Sequence, residues 1–206
     1  MTVIVDYGMG NLGSILNMLK KIGEQAVIAS DPDGIRQAGR LILPGVGSFD
    51  RGMRHLQQRG LLPVLNDKVR CEQTPTLGIC LGMQLLTRRS EEGQLPGLGW
   101  IDGETVRFQF EGRHQALKVP HMGWNTVTVA RDESLFRGLT NGQTRFYFVH
   151  SYHVVCDHAS DVLAQTEYGF PFIASVQRGH VMGTQFHPEK SHKYGMRLLQ
   201  NFVEYC

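Results

Sequence analysis

Four short aliphatic runs, residues 2–5, 26–29, 41–43 and 76–79, are separated by segments in which apolar residues recur at helical spacing. This alternation limits the fold more than any other feature. A run of consecutive aliphatic residues has no polar face, so as a strand it must be covered on both sides. Helices on both faces of a mostly parallel sheet supply that cover. Leu12, Ile15, Leu16, Leu19 and Ile22 share one helical face, with Asn11 as its N-cap. Leu61, Val64, Leu65 and Val69 form another, and Met196, Leu199, Phe202 and Val203 a last one. The expected class is α/β, a mostly parallel mixed sheet flanked by helices.

The second half changes character. Val119 and residues 124–129, 146–149, 152–155, 162–166 and 172–177 read as strands with short connections. They are expected to be partly antiparallel and to extend the same sheet. Residues 181–186 read as the last strand, and Pro44-Gly45 as the stop of the third. No linker or repeat interrupts the 206 residues, a length that fits one domain spanning 1–206.

Charge and composition narrow the function. The chain has 21 basic and 19 acidic residues, net +2, with no basic run longer than two. Such a balance provides no field for gathering nucleic acid or anionic lipid. No apolar stretch approaches the roughly 18 residues of a membrane span, and no secretory leader is expected. Cys71, Cys80, Cys156 and Cys206 form no C-x-x-C pair, so neither a metal nor another cofactor is expected. Free thiols in a reducing cytoplasm follow.

Gly78-Ile79-Cys80-Leu81-Gly82 ends the fourth run and opens a helical pattern. It is a nucleophile elbow with cysteine as nucleophile. A tight turn between strand and helix presents the side chain, and small neighbours let the backbone fold back. Free N–H groups at the helix start favour a thiolate and an oxyanion. His187-Pro188-Glu189 closes the last strand. In an extended segment residues i and i+2 share a side, so Glu189 can hold one ring nitrogen of His187 and leave the other for a thiol. Both motifs end strands, where open α/β sheets place their sites. Pro44-Gly45-Val46-Gly47 also ends a strand, and its backbone N–H groups suit the second half of an oxyanion hole, beside Leu81.

A rival class is a dinucleotide-binding module. Gly8-Met9-Gly10-Asn11-Leu12-Gly13 matches G-x-G-x-x-G, and Asp31 and Asp33 lie near the ribose-acid spacing. Against it, Asp6-Tyr7 separate the strand from the first glycine, and Cys80 and His187 stay unexplained. A peptide-cleaving cysteine hydrolase would share the triad.

Gly-Ile-Cys-Leu-Gly with a distant His-Pro-Glu resembles the class I, triad-type glutamine amidotransferases. Residues 6–11, 43–47, 120–125, 148–152 and 187–191, from Asp-Tyr-Gly-Met-Gly-Asn to His-Pro-Glu-Lys-Ser, are similar to the glutaminase subunits of imidazole glycerol phosphate synthases. The resemblance implies a flavodoxin-like core with additional antiparallel strands. It implies that Cys80 attacks the amide of L-glutamine, that His187 protonates the departing ammonia, and that Glu189 orients His187. Val46, Gly47 and Leu81 would form the oxyanion hole; Gln84, Glu92, His150, Ser151 and Tyr152 would hold glutamine. Asn11, Trp124 and Lys190 would face a partner, a (β/α)8-barrel synthase (cyclase) subunit of histidine biosynthesis that receives the ammonia in a heterodimer. The chain shows no second domain for an acceptor, which also points to a separate partner. Gly13, where a basic residue is more usual, and Ser191-His192-Lys193 resemble instead a paralogous branch that supplies ammonia to a sugar amidotransferase of surface-polysaccharide synthesis.

Overall fold

The structure is a computed structural model that describes residues 1–112, 115–131, 134–139 and 142–206. Its first half alternates strand and helix: β1 (Thr2–Val5), α1 (Leu12–Lys21), β2 (Ala26–Ala29), α2 (Pro32–Arg36), β3 (Arg40–Gly45), α3 (Phe49–Gln58), α4 (Leu61–Asn66), β4 (Thr76–Cys80) and α5 (Leu81–Leu85). Eight strands precede the next named helix; the first seven are β5 (Gly103–Arg107), β6 (His121–Thr126), β7 (Thr128–Val129), β8 (Arg145–His150), β9 (Tyr152–Cys156), β10 (Val162–Tyr168) and β11 (Phe170–Arg178). Then come β12 (Val181–Thr184) and α6 (His192–Tyr205).

An eight-stranded sheet has the order β2-β1-β3-β4-β12-β11-β10-β7. From β2 to β12 the pairs are parallel; from β12 to β7 they are antiparallel. Alternate residues of the central strands enter opposite cores, as strand geometry requires. Val3, Val5, Leu41 and Leu43 pack with Phe49, Leu56, Leu61 and Leu65 of α3 and α4. Ile4, Ile42, Leu77 and Ile79 pack with Ile15 and Leu19 of α1 and Leu198 and Phe202 of α6. Each fully buried aliphatic or phenyl side chain contributes roughly 1.5–3 kcal/mol. That burial, rather than propensity, holds such short helices. Asn11 caps α1, accepting from the Ser14 N–H at 3.4 Å. Among the described residues no helix is long and apolar enough to cross a membrane.

Several expectations need correction. The later strands do not all extend the main sheet. β10, β11 and β7 do, but β6 pairs with β8 and β5 with β9 in separate two-stranded ribbons. β6 alternates in burial and exposes Met122 and Trp124, so one face of its ribbon stays open instead of being covered like a central strand. Val119 lies outside any strand, and the expected strand at 124–129 begins earlier, at His121, and breaks at Val127 into β6 and β7. The last strand ends at Thr184. Residues 188–190 form a 3-10 turn, not an extended segment. Pro188 explains this: its fixed φ and missing N–H suit the first position of a helical turn. α5 has only five residues, so its contribution at the elbow comes from its free first-turn N–H groups rather than a long macrodipole.

Candidate active site

The carboxyl ends of three adjacent strands build the site. β4 lies between β3 and β12, with Gly45 opposite Cys80 and Thr184 opposite Ile79. The Pro44–Gly47 turn, the elbow and the His187 segment therefore emerge side by side. Cys80 has φ +55 and ψ −110, a strained conformation for a residue with a side chain. The surroundings enforce it. A Cβ on Gly78 would lie 2.8 Å from the Gly82 carbonyl group, and one on Gly82 would overlap the Leu43 carbonyl oxygen. The two glycines let β4 turn directly into α5 against β3.

His187 is 1% exposed as a residue, and the Glu189 side chain is 2% exposed. His187 Nδ1 lies 2.8 Å from Glu189 Oε1, which sets Nδ1 as the donor. Nε2 is left to face the Cys80 side chain. Burial alone would lower the His187 pKa. The Cys80 and Glu189 side chains outweigh it and raise the value to about 10. The arrangement thus favours an imidazolium facing the Cys80 sulfur. The segment is pinned from behind: the His187 N–H donates to the Tyr147 carbonyl at 2.9 Å, and the Ser191 hydroxyl donates to the His187 carbonyl at 2.6 Å while accepting from the Tyr147 N–H at 3.0 Å.

A cavity of about 230 Å³ opens above the sulfur. Val46, Gly47, Cys80, Leu81, Gln84, Glu92, His150, Ser151 and Tyr152 all line it, joined by Pro120 and Val149. The sequence reading named the first nine from five separate segments. Glu92 Oε2 accepts from the Phe49 N–H, the first of α3, at 2.8 Å. Burial raises the Glu92 pKa, while that bond opposes the rise. Gln84 Nε2 donates to the Tyr152 carbonyl and to Gln185 Oε1, each at 3.1 Å, which leaves Gln84 Oε1 as the free acceptor end. Asn11, Trp124 and Lys190 lie outside this cavity. Asn11 is exposed at the start of α1. Trp124 and Lys190 flank the Tyr147 ring, at 6.2 and 5.7 Å.

Sequence reasoning missed three groups here. Gln185 donates toward Cys80 Sγ at 3.8 Å and accepts from Gln84. Ser191 ties the His187 segment to β8. Tyr7 is fully buried beside Gly45, with a hydroxyl that has no hydrogen-bond partner among the described residues. Burial, then the Cys80 charge, pushes its pKa far up. Only the adjacency of Gln185 and Ser191 to His-Pro-Glu could have flagged them. The aspartates of the dinucleotide reading are engaged structurally: Asp31 caps α2, accepting from the Gly34 N–H at 2.9 Å, and Asp33 pairs with Arg36. Among the described residues no group of His, Cys, Asp and Glu could hold a metal ion.

An elbow cysteine, a carboxylate-bound histidine just past the neighbouring strand and a small pocket above the sulfur thus stand together. The class-I glutamine amidotransferase family model matches residues 3–206, and the chain belongs to that family. Solved structures of a glutamine amidotransferase and of PurLQS from Thermotoga maritima share the fold. Their TM-scores are 0.71 and 0.72 at 21% and 17% identity, covering 98% and 99% of this chain and 97% of each of theirs. Within the family the chain groups with proteins named imidazole glycerol phosphate synthase subunit HisH. It is 52% identical to those named HisH 2 from Methanococcus maripaludis and from Pseudomonas aeruginosa, over 99% of this chain and 99% of each relative. It is 47% identical to HisH from Sulfurimonas denitrificans, over 100% of this chain and 98% of the relative.

Proposed function

We propose that the chain, as one domain over residues 1–206, is the glutaminase subunit of an imidazole glycerol phosphate synthase. It hydrolyses L-glutamine and passes ammonia to a barrel-shaped synthase partner in a reducing cytoplasm. The observation that carries this is the strained Cys80 beside the His187–Glu189 pair at the floor of the 230 Å³ cavity. The thiolate attacks the side-chain amide carbon, and the oxyanion is met by the N–H groups of Val46 and Leu81, with Gly47 keeping the turn open. His187 gives its proton to the leaving nitrogen, so ammonia departs and a thioester remains on Cys80. Water then attacks, its proton passing to His187, and glutamate leaves as the thiolate is restored. Glu92 holds the substrate ammonium, Gln84 Oε1 accepts from its amino-acid end, and the 150–152 backbone forms the wall.

Incubating the chain and its synthase partner with glutamine, a model peptide and a dinucleotide tests this. Glutamate and ammonia should appear together from glutamine alone. Cys80→Ala should abolish both products while the circular dichroism spectrum is retained; full activity in that variant would refute the assignment. A second reading keeps the glutaminase and changes the acceptor to a sugar of surface-polysaccharide synthesis. The Gly13 departure favours it: that position is exposed, and a Cβ there meets nothing within 4 Å, so the lost basic residue is a surface choice rather than a packing need. Stimulation by a sugar-modifying amidotransferase instead of the barrel partner would select it.

A further inference from the structure

His121 and His150 are cross-strand partners in the β6–β8 ribbon, and both are buried. His121 Nδ1 lies 3.1 Å from His150 Nε2. His150 Nδ1 lies 2.7 Å from the Tyr152 carbonyl oxygen, and Asn125 Nδ2 lies 3.4 Å from His121 Nε2. The ends dictate the tautomers. A carbonyl can only accept, so His150 carries its proton on Nδ1 and Nε2 accepts. His121 must then donate from Nδ1, and its Nε2 accepts from Asn125. Asn125 is fixed in turn: its Nδ2 donates to the Glu167 carbonyl at 2.8 Å, and its Oδ1 accepts from the Thr126 N–H at 2.9 Å. The result is a one-directional chain, Asn125 to His121 to His150 to the Tyr152 carbonyl. Protonating either ring would break it. Burial keeps both neutral, lowering His121 to about 4 and His150 to about 3.

The chain ends where the pocket begins. The Tyr152 carbonyl also accepts from Gln84 Nε2, and Gln84, His150 and Tyr152 all line the cavity. Two donors on one oxygen leave this carbonyl little freedom. We propose that His121 and Asn125, which lie outside the cavity, are positioning residues for glutamine: with His150 they lock the Tyr152 carbonyl and so hold Gln84 Oε1 in place for the substrate. The inference rests on the glutaminase reading and adds to it a grip built from β6. It also explains two histidines that the triad does not use. Aromatic packing alone does not require this chain, because it leaves the nitrogens unspecified. The His121 ring lies 5.0 Å from that of Phe148 and 4.3 Å from that of Tyr168, contacts that phenylalanine could reproduce.

The test pairs two substitutions at His121 in the assembled glutaminase. His121→Phe keeps the stacking and removes the donor; His121→Asn places an amide N–H near the former Nδ1. For His121→Phe, kcat/KM for glutamine should fall about two- to tenfold, the worth of one neutral hydrogen bond, with most of the change in KM. His121→Asn should recover most of it. Nitrogen-15 spectra of the imidazoles should show Nδ1–H tautomers for both rings in the wild type. In His121→Phe the His150 signal should move toward the Nε2–H form. An unchanged KM in a folded His121→Phe protein, equal losses in both variants, or an Nε2–H tautomer in the wild type would each overturn the proposal. Absence of glutamine hydrolysis in the wild type would instead overturn the glutaminase reading. The tautomer spectra would still decide whether the chain exists.

Discussion

At Cys80 the backbone sits at φ +55, where only glycine is relaxed. A left-handed residue with a side chain costs about 1–3 kcal/mol. Cys80→Gly should therefore raise the urea midpoint by about 1 kcal/mol of stability while removing all activity, whereas Cys80→Ala should keep the strain and gain nothing. Urea titration of the two variants separates strain from loss of sulfur. Next in line, His187→Asn should reduce turnover more than Glu189→Gln, because in the proposed mechanism His187 would move protons and Glu189 would only fix the ring and its charge. Single-turnover rates with glutamine give the order, and an undiminished His187→Asn rate would remove the triad. The raised His187 pKa has a thermodynamic sign as well. The ring binds its proton more tightly folded than unfolded, so the stabilisation is complete below about pH 6.5 and is lost as pH rises through about 10. Urea midpoints should consequently fall between pH 7 and 10 more steeply in the wild type than in His187→Asn.

Elements show which parts of the molecule could be read from residues alone. The parallel half was legible because each strand is a local event: an aliphatic run, a helix of period 3.6, and a cap such as Asn11. The elbow was legible for the same reason, since Gly78 and Gly82 stand two residues from Cys80 in the chain. The β6–β8 and β5–β9 ribbons were not, because pairing between distant segments leaves no periodic mark. His121 and His150 are 29 residues apart, and nothing in their spacing announces a shared hydrogen bond. Gln185 reaches Gln84 across 101 residues and was invisible for that reason. The 3-10 turn at Pro188 was a failure of another sort, because a short turn and a strand end look alike at three residues. Two glycines test the packing at element scale. Gly82→Ala would force β3 away from α5 through the Leu43 carbonyl, so a loss of about 1–3 kcal/mol or more, together with activity, is expected from thermal melts. Gly13→Ala, in the open on α1, should instead stabilise by about 0.5–1 kcal/mol and leave glutamine hydrolysis unchanged.

Taken as a whole, the molecule exposes several apolar and cationic side chains near the reacting end of the sheet. Met122 is 62% exposed, Val46 49% and Trp124 43%, although most large apolar side chains are buried. Trp124 stacks on His192 with ring centroids 5.5 Å apart, and Arg145 lies 5.7 Å above its ring. Lys190 sits over the same Tyr147 that Trp124 touches, and Tyr147 accepts from the His187 N–H. In the proposed function, a partner seated here would press on the segment that carries His187 and on the turn that would offer the Val46 N–H. One oxyanion donor is worth about 2.7–4 kcal/mol, so a partner that favoured a donating conformer of the turn would raise turnover by roughly a hundred- to a thousandfold. The two tryptophans make the docking measurable. Trp100 is buried, its Nε1 donating to Asn66 Oδ1 at 2.9 Å, and should stay silent. Trp124 should shift its emission to the blue as the synthase subunit covers it, a shift retained in Trp100→Phe and lost in Trp124→Phe. Trp124→Ala should weaken association by about 2 kcal/mol, roughly thirtyfold, as a central aromatic anchor would. Glutamine hydrolysis should then be slow for the chain alone, faster with the partner, and fastest with partner and acceptor together. At saturating partner, Trp124→Ala should regain the rate; equal rates in all three conditions would mean that this face does not govern the site.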